Sequence, residues 1–216
     1  MYIYYYNRER DKNSKIKVSN QKNSHMFLKE ALKDYIKRKQ FGYRQEYINN
    51  IKIEKGLHGK PYFSNLKQYG SESLKPISFS ISHSGNYWAC IIGEIEVGID
   101  IEVVNNINCK SNDILMKTRN YEAIAKRFFT RNEYEFVKKY GSDAFLEIWT
   151  RKEAYIKQKG TGFSEGLNTF EVIESGKYAE KVKGIYINKI DLTHGIKAVY
   201  CTKEKKQVKD IINLFE

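Results

Sequence analysis

The amino-acid sequence predicts an α+β fold arranged as two pseudo-duplicated halves, residues 1–99 and 100–216. Helix-like and strand-like segments are mixed without regular βαβ alternation, which disfavours a doubly wound parallel sheet. Each half repeats the order strand, helix, strands. The 216 residues are 41% hydrophobic and 14% aromatic with only 2 prolines, a globular composition long enough to bury a sizeable core.

Taken in chain order, Tyr2 to Tyr6 is an aromatic and β-branched run that reads as an opening strand. Leu28, Ala31, Leu32, Tyr35 and Ile36 then recur at helical spacing, predicting a helix from about Ser24 to Lys39 with Asn23 or Ser24 as cap. Strands follow at Ile77–Ser82, Tyr87–Ile92 and Val97–Val103, joined by turn material at Ser84-Gly-Asn86 and Gly93-Glu-Ile-Glu96. A charged, Asn-rich connection runs from Asn105 to Asn120. Thr130-Arg-Asn-Glu133 has the form of a capping box that starts one helix, and Ser142 caps another that runs to Lys159 and stops at Gly160. Strands are expected near Phe170–Ile173, Ile185–Ile190 and Ile196–Cys201, before a closing amphipathic segment with Val208, Ile211, Ile212 and Phe215.

Charge and composition narrow the function classes. Lys and Arg total 38 against 26 acidic residues, a net charge of +12, which attracts phosphates, acidic proteins or nucleic acid. The excess leans toward the first half, with 17 basic and 9 acidic side chains in residues 1–99 against 21 and 17 in residues 100–216. A basic nucleic-acid-binding protein is one reading of that charge. No RNP1 pattern or paired zinc ligands support it, and the charge is not gathered in one tail, so no nucleic-acid partner is expected. No stretch approaches the roughly 20 apolar residues that span a bilayer, and Met1 to Arg8 has no basic region followed by an apolar one. We therefore expect a cytoplasmic protein without membrane contact. Cys90, Cys109 and Cys201 lie far apart in sequence, as expected of reduced thiols.

The sharpest local feature is Val97-Gly-Ile-Asp-Ile-Glu102. Asp100 and Glu102 lie two apart on a strand and share a face, while Ile99, Ile101 and Val103 take the other. At about 5 Å and an effective dielectric of about 20, their repulsion costs roughly 3 kcal/mol before any counter-charge. Either this is the solvated face of an edge strand, or a hard cation such as Mg²⁺ removes the cost. In Phe145 to Gly162, helical spacing places Trp149, Glu153, Ile156 and Lys157 on one stripe. Glu153 then needs a partner, either Lys157 one turn later or a cation held by the strand carboxylates. Phe79-Ser-Ile-Ser-His-Ser-Gly85 sets His83 between serines at a strand end, favouring an exposed, phosphate-facing imidazole. Gly59-Lys-Pro-Tyr62 is a turn carrying one lysine.

Gly59-Lys-Pro, Ile81-Ser-His-Ser, Gly98-Ile-Asp-Ile-Glu102, Phe129-Thr-Arg-Asn-Glu133 and Trp149-Thr-Arg-Lys-Glu-Ala with Lys157, Gly160 and Gly162 resemble, in order and spacing, the 4′-phosphopantetheinyl transferases of the larger Sfp type. The matched blocks run from Gly59 to Gly162. The resemblance implies the pseudo-duplicated fold of that family. It also implies a monomeric enzyme that moves 4′-phosphopantetheine from coenzyme A to a serine hydroxyl of an acyl or peptidyl carrier protein, releasing 3′,5′-ADP. Fatty acid, polyketide and nonribosomal peptide synthesis are the processes so served. It assigns Asp100, Glu102 and Glu153 to Mg²⁺, with Glu153, directly or through a metal-bound water, as base for the carrier serine and Lys157 on the pyrophosphate. It sets His83, Ser82 and Lys60 on the coenzyme's phosphates, and Ser24, His25 and Lys22 by position near the 3′-phosphate. Glu133 aligns with a family glutamate, although the capping box accounts for it equally well. A non-catalytic carrier-binding homologue is the other reading, against which the intact Asp100, Glu102, Glu153 set argues. Carrier docking is expected on Asn105 to Asn120, where Ile107, Ile114, Leu115 and Met116 offer apolar anchors unless they tuck into the core.

Overall fold

The structure is a computed structural model that describes residues 1–8, 20–41, 48–65, 76–104 and 121–215. The expected docking segment, Asn105 to Asn120 with Cys109, lies outside the described residues. Two four-stranded sheets form the frame. The first contains β1 (Tyr2–Asn7), β4 (Ser78–Ser84), β5 (Tyr87–Gly93) and β12 (Ile211–Asn213), in the order β12-β1-β5-β4. The second contains β6 (Val97–Val103), β9 (Lys181–Val182), β10 (Ile185–Ile190) and β11 (Ile196–Thr202), in the order β6-β11-β10-β9. Two small hairpins, β2 (Ile53–Lys55) with β3 (Pro61–Phe63) and β7 (Ile173–Glu174) with β8 (Lys177–Tyr178), complete the strands.

Strand alternation distributes the core. Tyr2, Tyr4, Tyr6, Trp88, Cys90 and Ile92 bury one face of the first sheet with Phe27, Leu28, Leu32 and Tyr35 of helix α1 (Gln21–Arg38). The intervening residues, Ile3, Ala89 and Ile91, join Val97, Ile99, Ile101, Ala198 and Tyr200 of the second sheet in a shared cluster. Val199, Cys201, Ile185 and Ile187 then meet Phe145, Ile148, Ala154, Tyr155 and Ile156. Those last five belong to helix α3 (Arg131–Lys159), which follows the short helix α2 (Tyr121–Phe128). Period-2 burial of this kind gives each central strand two dry faces, and that is why neither sheet reads as cleanly amphipathic.

Several expected boundaries shift. The first helix begins at Gln21 because Asn20, not Asn23 or Ser24, accepts the Lys22 N–H at 2.9 Å. Strand β4 runs on to Ser84, so His83 lies within it, opposite Trp88. The two helices expected after Thr130 are present as the two parts of α3, separated at Gly141, whose φ of 76° and ψ of −159° only glycine adopts readily. Thr130 and Glu133 make the expected capping box, and Gly160 closes the helix in the left-handed region. Near Phe170–Ile173, only Ile173–Glu174 is strand, preceded by a 3₁₀ turn at Leu167–Thr169. The closing amphipathic segment supplies β12, which pairs in parallel with β1 through Ile3–Ile211 and Tyr4–Ile212. The division between residues 99 and 100 falls inside β6, and the last strand of the chain returns to the first sheet.

The two sheets meet edge to edge where β4 runs beside β6. Serine hydroxyls of β4 bonded to the backbone of β6, rather than a backbone-to-backbone ladder, join them. Ser80, Ser82 and Ser84 accept the N–H groups of Ile99, Ile101 and Val103 at 3.1, 3.3 and 3.1 Å. The numbering advances together on both strands, so they run parallel.

Candidate active site

The site is built where β4, β6, the C-terminal half of α3 and the β2–β3 hairpin converge. Gly98 makes the convergence possible. A Cβ at that position would lie 2.1 Å from the Ala154 carbonyl oxygen and 2.4 Å from the Gln158 nitrogen, so α3 lies directly on the β6 backbone. Residues 98, 100 and 102 share that face. Asp100 is thereby brought against the stripe of α3 that carries Glu153 and Lys157, with Glu102 two residues further along the same face of β6. The role of Gly98 is the part of the motif that sequence reasoning left unassigned.

Asp100 is 4% exposed. Its Oδ1 accepts from Lys157 Nζ at 2.7 Å and from the Ser82 hydroxyl at 2.7 Å, and Lys157 also donates to Ser82 Oγ at 3.0 Å. Asp100 Oδ2 is buried without a hydrogen-bond partner, and so is Glu153 Oε1. Burial, reinforced by the negative Asp100 and partly offset by Lys157, pushes the Glu153 carboxyl up to about 7. Glu102 is half-buried and its Oε2 accepts from the Ser84 hydroxyl at 2.8 Å. His83 is exposed on β4, and its imidazole is held below the usual range by desolvation and by Lys157, against the opposing pull of Asp100.

A cavity of about 280 Å³ opens beside these groups, walled by His58, Gly59 and Lys60 of the hairpin, Ile81 of β4, and Glu153 and Lys157 of α3. Lys60 lies in that wall with its ammonium engaged: it donates to Glu96 Oε2 at 2.6 Å, the Gln158 carbonyl at 3.0 Å and the Val97 carbonyl at 3.1 Å. These bonds tie the hairpin to the start of β6 and the end of α3, a structural duty that the sequence did not disclose. The structure thus gathers Ser82, His83, Asp100, Glu153 and Lys157, with Lys60 in the wall of the neighbouring cavity, while Glu102 lies two residues further along β6 on the Ser84 hydroxyl. Lys22 and His25 instead line a different cleft on α1, and Ser24 accepts the Trp88 indole N–H at 2.9 Å. Glu133 belongs to the scaffold. It is fully buried with Lys152, 2.8 Å away, and its Oε1 accepts the Val172 N–H at 2.8 Å. Lys152 in turn donates to the Leu167 and Phe170 carbonyls.

Among the described residues, no group of three or more His, Cys, Asp or Glu side chains is already gathered to hold a metal ion. Lys157 is the counter-charge to Asp100 here. The donor chemistry nonetheless suits a hard cation, because Asp100 and Glu153 each bury an unpartnered carboxyl oxygen and lie close enough for the charge of Asp100 to raise the Glu153 carboxyl.

Comparison with known proteins agrees with the motifs. The chain is 29% identical over 184 residues to the 4′-phosphopantetheinyl transferase gsp of Aneurinibacillus migulanus, covering 77% of this chain and 68% of that protein. It is 32% identical over 128 residues to the 4′-phosphopantetheinyl transferase Sfp of Bacillus subtilis, covering 57% of this chain and 48% of the relative. Against the 4′-phosphopantetheinyl transferase HetI of a Nostoc species the identity is 30% over 129 residues, with 57% and 48% covered. The chain therefore spans about two thirds of the first relative and about half of the other two. Residues 96–209, more than half the chain and the whole of β6, α2 and α3, match the profile of the 4′-phosphopantetheinyl transferase superfamily, and the chain belongs to that family.

Proposed function

We propose that the protein transfers the 4′-phosphopantetheine group of coenzyme A to a serine hydroxyl of an apo carrier protein, with Mg²⁺ as its cofactor. The observation that carries the reading is the pair of unpartnered buried oxygens on Asp100 and Glu153, with Lys157 bonded to Asp100 and both Glu153 and Lys157 in the wall of the hairpin-lined cavity. Asp100, Glu102 and Glu153 are the residues that would hold Mg²⁺, which when bound neutralises negative charge on the pyrophosphate.

The chain's own groups perform the rest. Lys157 exchanges its bond to Asp100 for one to a pyrophosphate oxygen and stabilises the charge that grows there during transfer. His83 and Ser82 lie next to Lys157 and face the same phosphates, and Lys60 steadies the hairpin wall against which the coenzyme rests. Glu153 accepts the proton of the carrier serine. The serine oxygen forms a bond to the β-phosphorus, the bond from that phosphorus to the bridging oxygen breaks, and 3′,5′-ADP departs with the electron pair.

The test is incubation of the protein with coenzyme A, Mg²⁺ and several apo acyl and peptidyl carrier proteins. Intact-mass spectrometry should show the gain of one phosphopantetheine on at least one carrier, lost in EDTA. No mass gain on any carrier, with coenzyme A bound and the protein folded, would refute the reading.

A further inference from the structure

The serine ladder between β4 and β6 does more than close a seam. Each serine hydroxyl has one proton and two acceptor positions. Ser82 Oγ receives the Ile101 N–H and the Lys157 ammonium, so its single proton goes to Asp100 Oδ1. Ser84 Oγ receives the Val103 N–H, and its proton goes to Glu102 Oε2. Ser80 accepts from Ile99 in the same register, but the β6 residue that would face it on the carboxylate side is Gly98, and that rung ends without a carboxylate. The ladder therefore has three rungs of one construction, and the two that continue past the backbone end on the two strand carboxylates.

We propose that Ser84 is a positioning residue for Glu102: its hydroxyl fixes the rotamer of that long, half-buried side chain so that the carboxylate faces the divalent cation. The inference rests on the metal-dependent reading above. A glutamate side chain has three rotatable bonds and loses that freedom when its carboxylate ligates. The Ser84 hydroxyl adds a restraint that carries no charge of its own. Partners of this type behind metal ligands commonly change metal affinity by about 10- to 100-fold when removed. Anchored at the same time to the Val103 N–H, Ser84 holds Glu102 relative to β6 itself, so carboxylate and strand move as one.

The experiment compares Ser84→Ala, Ser84→Thr and Ser80→Ala with the wild-type protein in the presence of coenzyme A. Mn²⁺ affinity is read from the electron paramagnetic resonance signal of the free ion, melting temperature is read in EDTA, and transfer is assayed over a Mg²⁺ series. Ser84→Ala should weaken Mn²⁺ about tenfold and shift the Mg²⁺ dependence by a similar factor. The KM for coenzyme A should stay as in the wild type, and activity should return at saturating Mg²⁺. Ser84→Thr, which keeps the hydroxyl, should restore both metal readouts. Ser80→Ala removes a rung without a carboxylate and should lower the melting temperature without weakening Mn²⁺. Unchanged Mn²⁺ affinity in Ser84→Ala, or a threonine variant as weak as the alanine one, overturns the inference. If the alanine variant does not fold, the threonine variant decides, since a folded Ser84→Thr with tenfold weaker Mn²⁺ overturns it and wild-type affinity supports it. A wild-type protein that transfers phosphopantetheine without binding Mn²⁺ defeats this inference and the metal dependence of the functional reading, but not the transfer itself. One that binds Mn²⁺ but transfers to no carrier defeats the functional reading and leaves the Mn²⁺ comparison to decide on Ser84.

Discussion

Replacing Glu153 by glutamine should abolish transfer and at the same time stabilise the metal-free protein at alkaline pH. The carboxyl is raised from 4.5 to about 7 in the folded chain. At about 1.4 kcal/mol for each tenfold change in proton affinity, that is about 3 kcal/mol of disfavoured charge. Because the folded state holds the proton more tightly, this group's contribution is fully present below about pH 4.5 and is lost as pH rises through 7. Above pH 7 the wild type carries the full cost of an enclosed carboxylate facing Asp100. Glu153 is only half-buried as a residue, so solvent at its other oxygen reduces the figure, and about 1 to 2 kcal/mol is the expected gain for glutamine at pH 8. For a chain of this size that is about 2 to 8 °C in melting temperature. Circular dichroism melts of Glu153→Gln and wild type in EDTA should differ by that amount at pH 8 and by little at pH 4.5. A glutamine variant that melts lower than wild type at pH 8, or gains equally at both pH values, refutes the account of Glu153 as a desolvated charge awaiting a cation.

Gly98→Ala should cost about 3 kcal/mol or more in urea unfolding, because the new methyl meets helix backbone at 2.1 and 2.4 Å rather than a yielding side chain. Glu133→Ala should cost about 3 to 5 kcal/mol, well above the loss of a helix cap alone, since it leaves the Lys152 ammonium buried without its partner. Thr130→Ala, which removes only the cap, should cost about 1 kcal/mol in the same unfolding assay. Lys60→Ala should lower the melting temperature as well as coenzyme A affinity, whereas His83→Ala should weaken the coenzyme in calorimetry with little change in melting. A Lys60 variant with unchanged stability would show that its bonds to Glu96 and Gln158 do not hold the hairpin.

The strands and helices that the sequence made legible are those with a strong local signal. Val97–Val103 alternates without interruption, and the Thr130–Glu133 box announces a helix start by side-chain chemistry alone. What escaped depends on partners far away in the chain. Nothing local distinguishes Ile211–Asn213 from an amphipathic helix end, because its strand state comes from pairing with β1, some two hundred residues earlier. Lys60 reads as one lysine in a turn, and only the approach of Glu96 and Gln158 makes it a tie between three elements. Glu133 illustrates the opposite error: the capping box is real, yet it hides a buried ion pair whose second member, Lys152, lies one residue from Glu153 in the sequence and faces the other side of the helix.

That last juxtaposition explains how a long helix can carry a destabilised carboxylate. Lys152 is fixed by Glu133 and by the carbonyls of Leu167 and Phe170 on the core side of α3. Its neighbour Glu153 is thereby denied rotation away from β6 toward solvent, since turning the helix would strip a buried ammonium of its partners. On the facing strand, Gly98 carries no Cβ to hold α3 off, and the serines of β4 clamp the backbone that carries Asp100 and Glu102. The repulsion between Asp100 and Glu153 therefore cannot be relieved by moving either element. In the metal-free protein Lys157 offsets only part of it, and the remainder is the local cost that, on the proposed metal-dependent reading, a bound cation would remove.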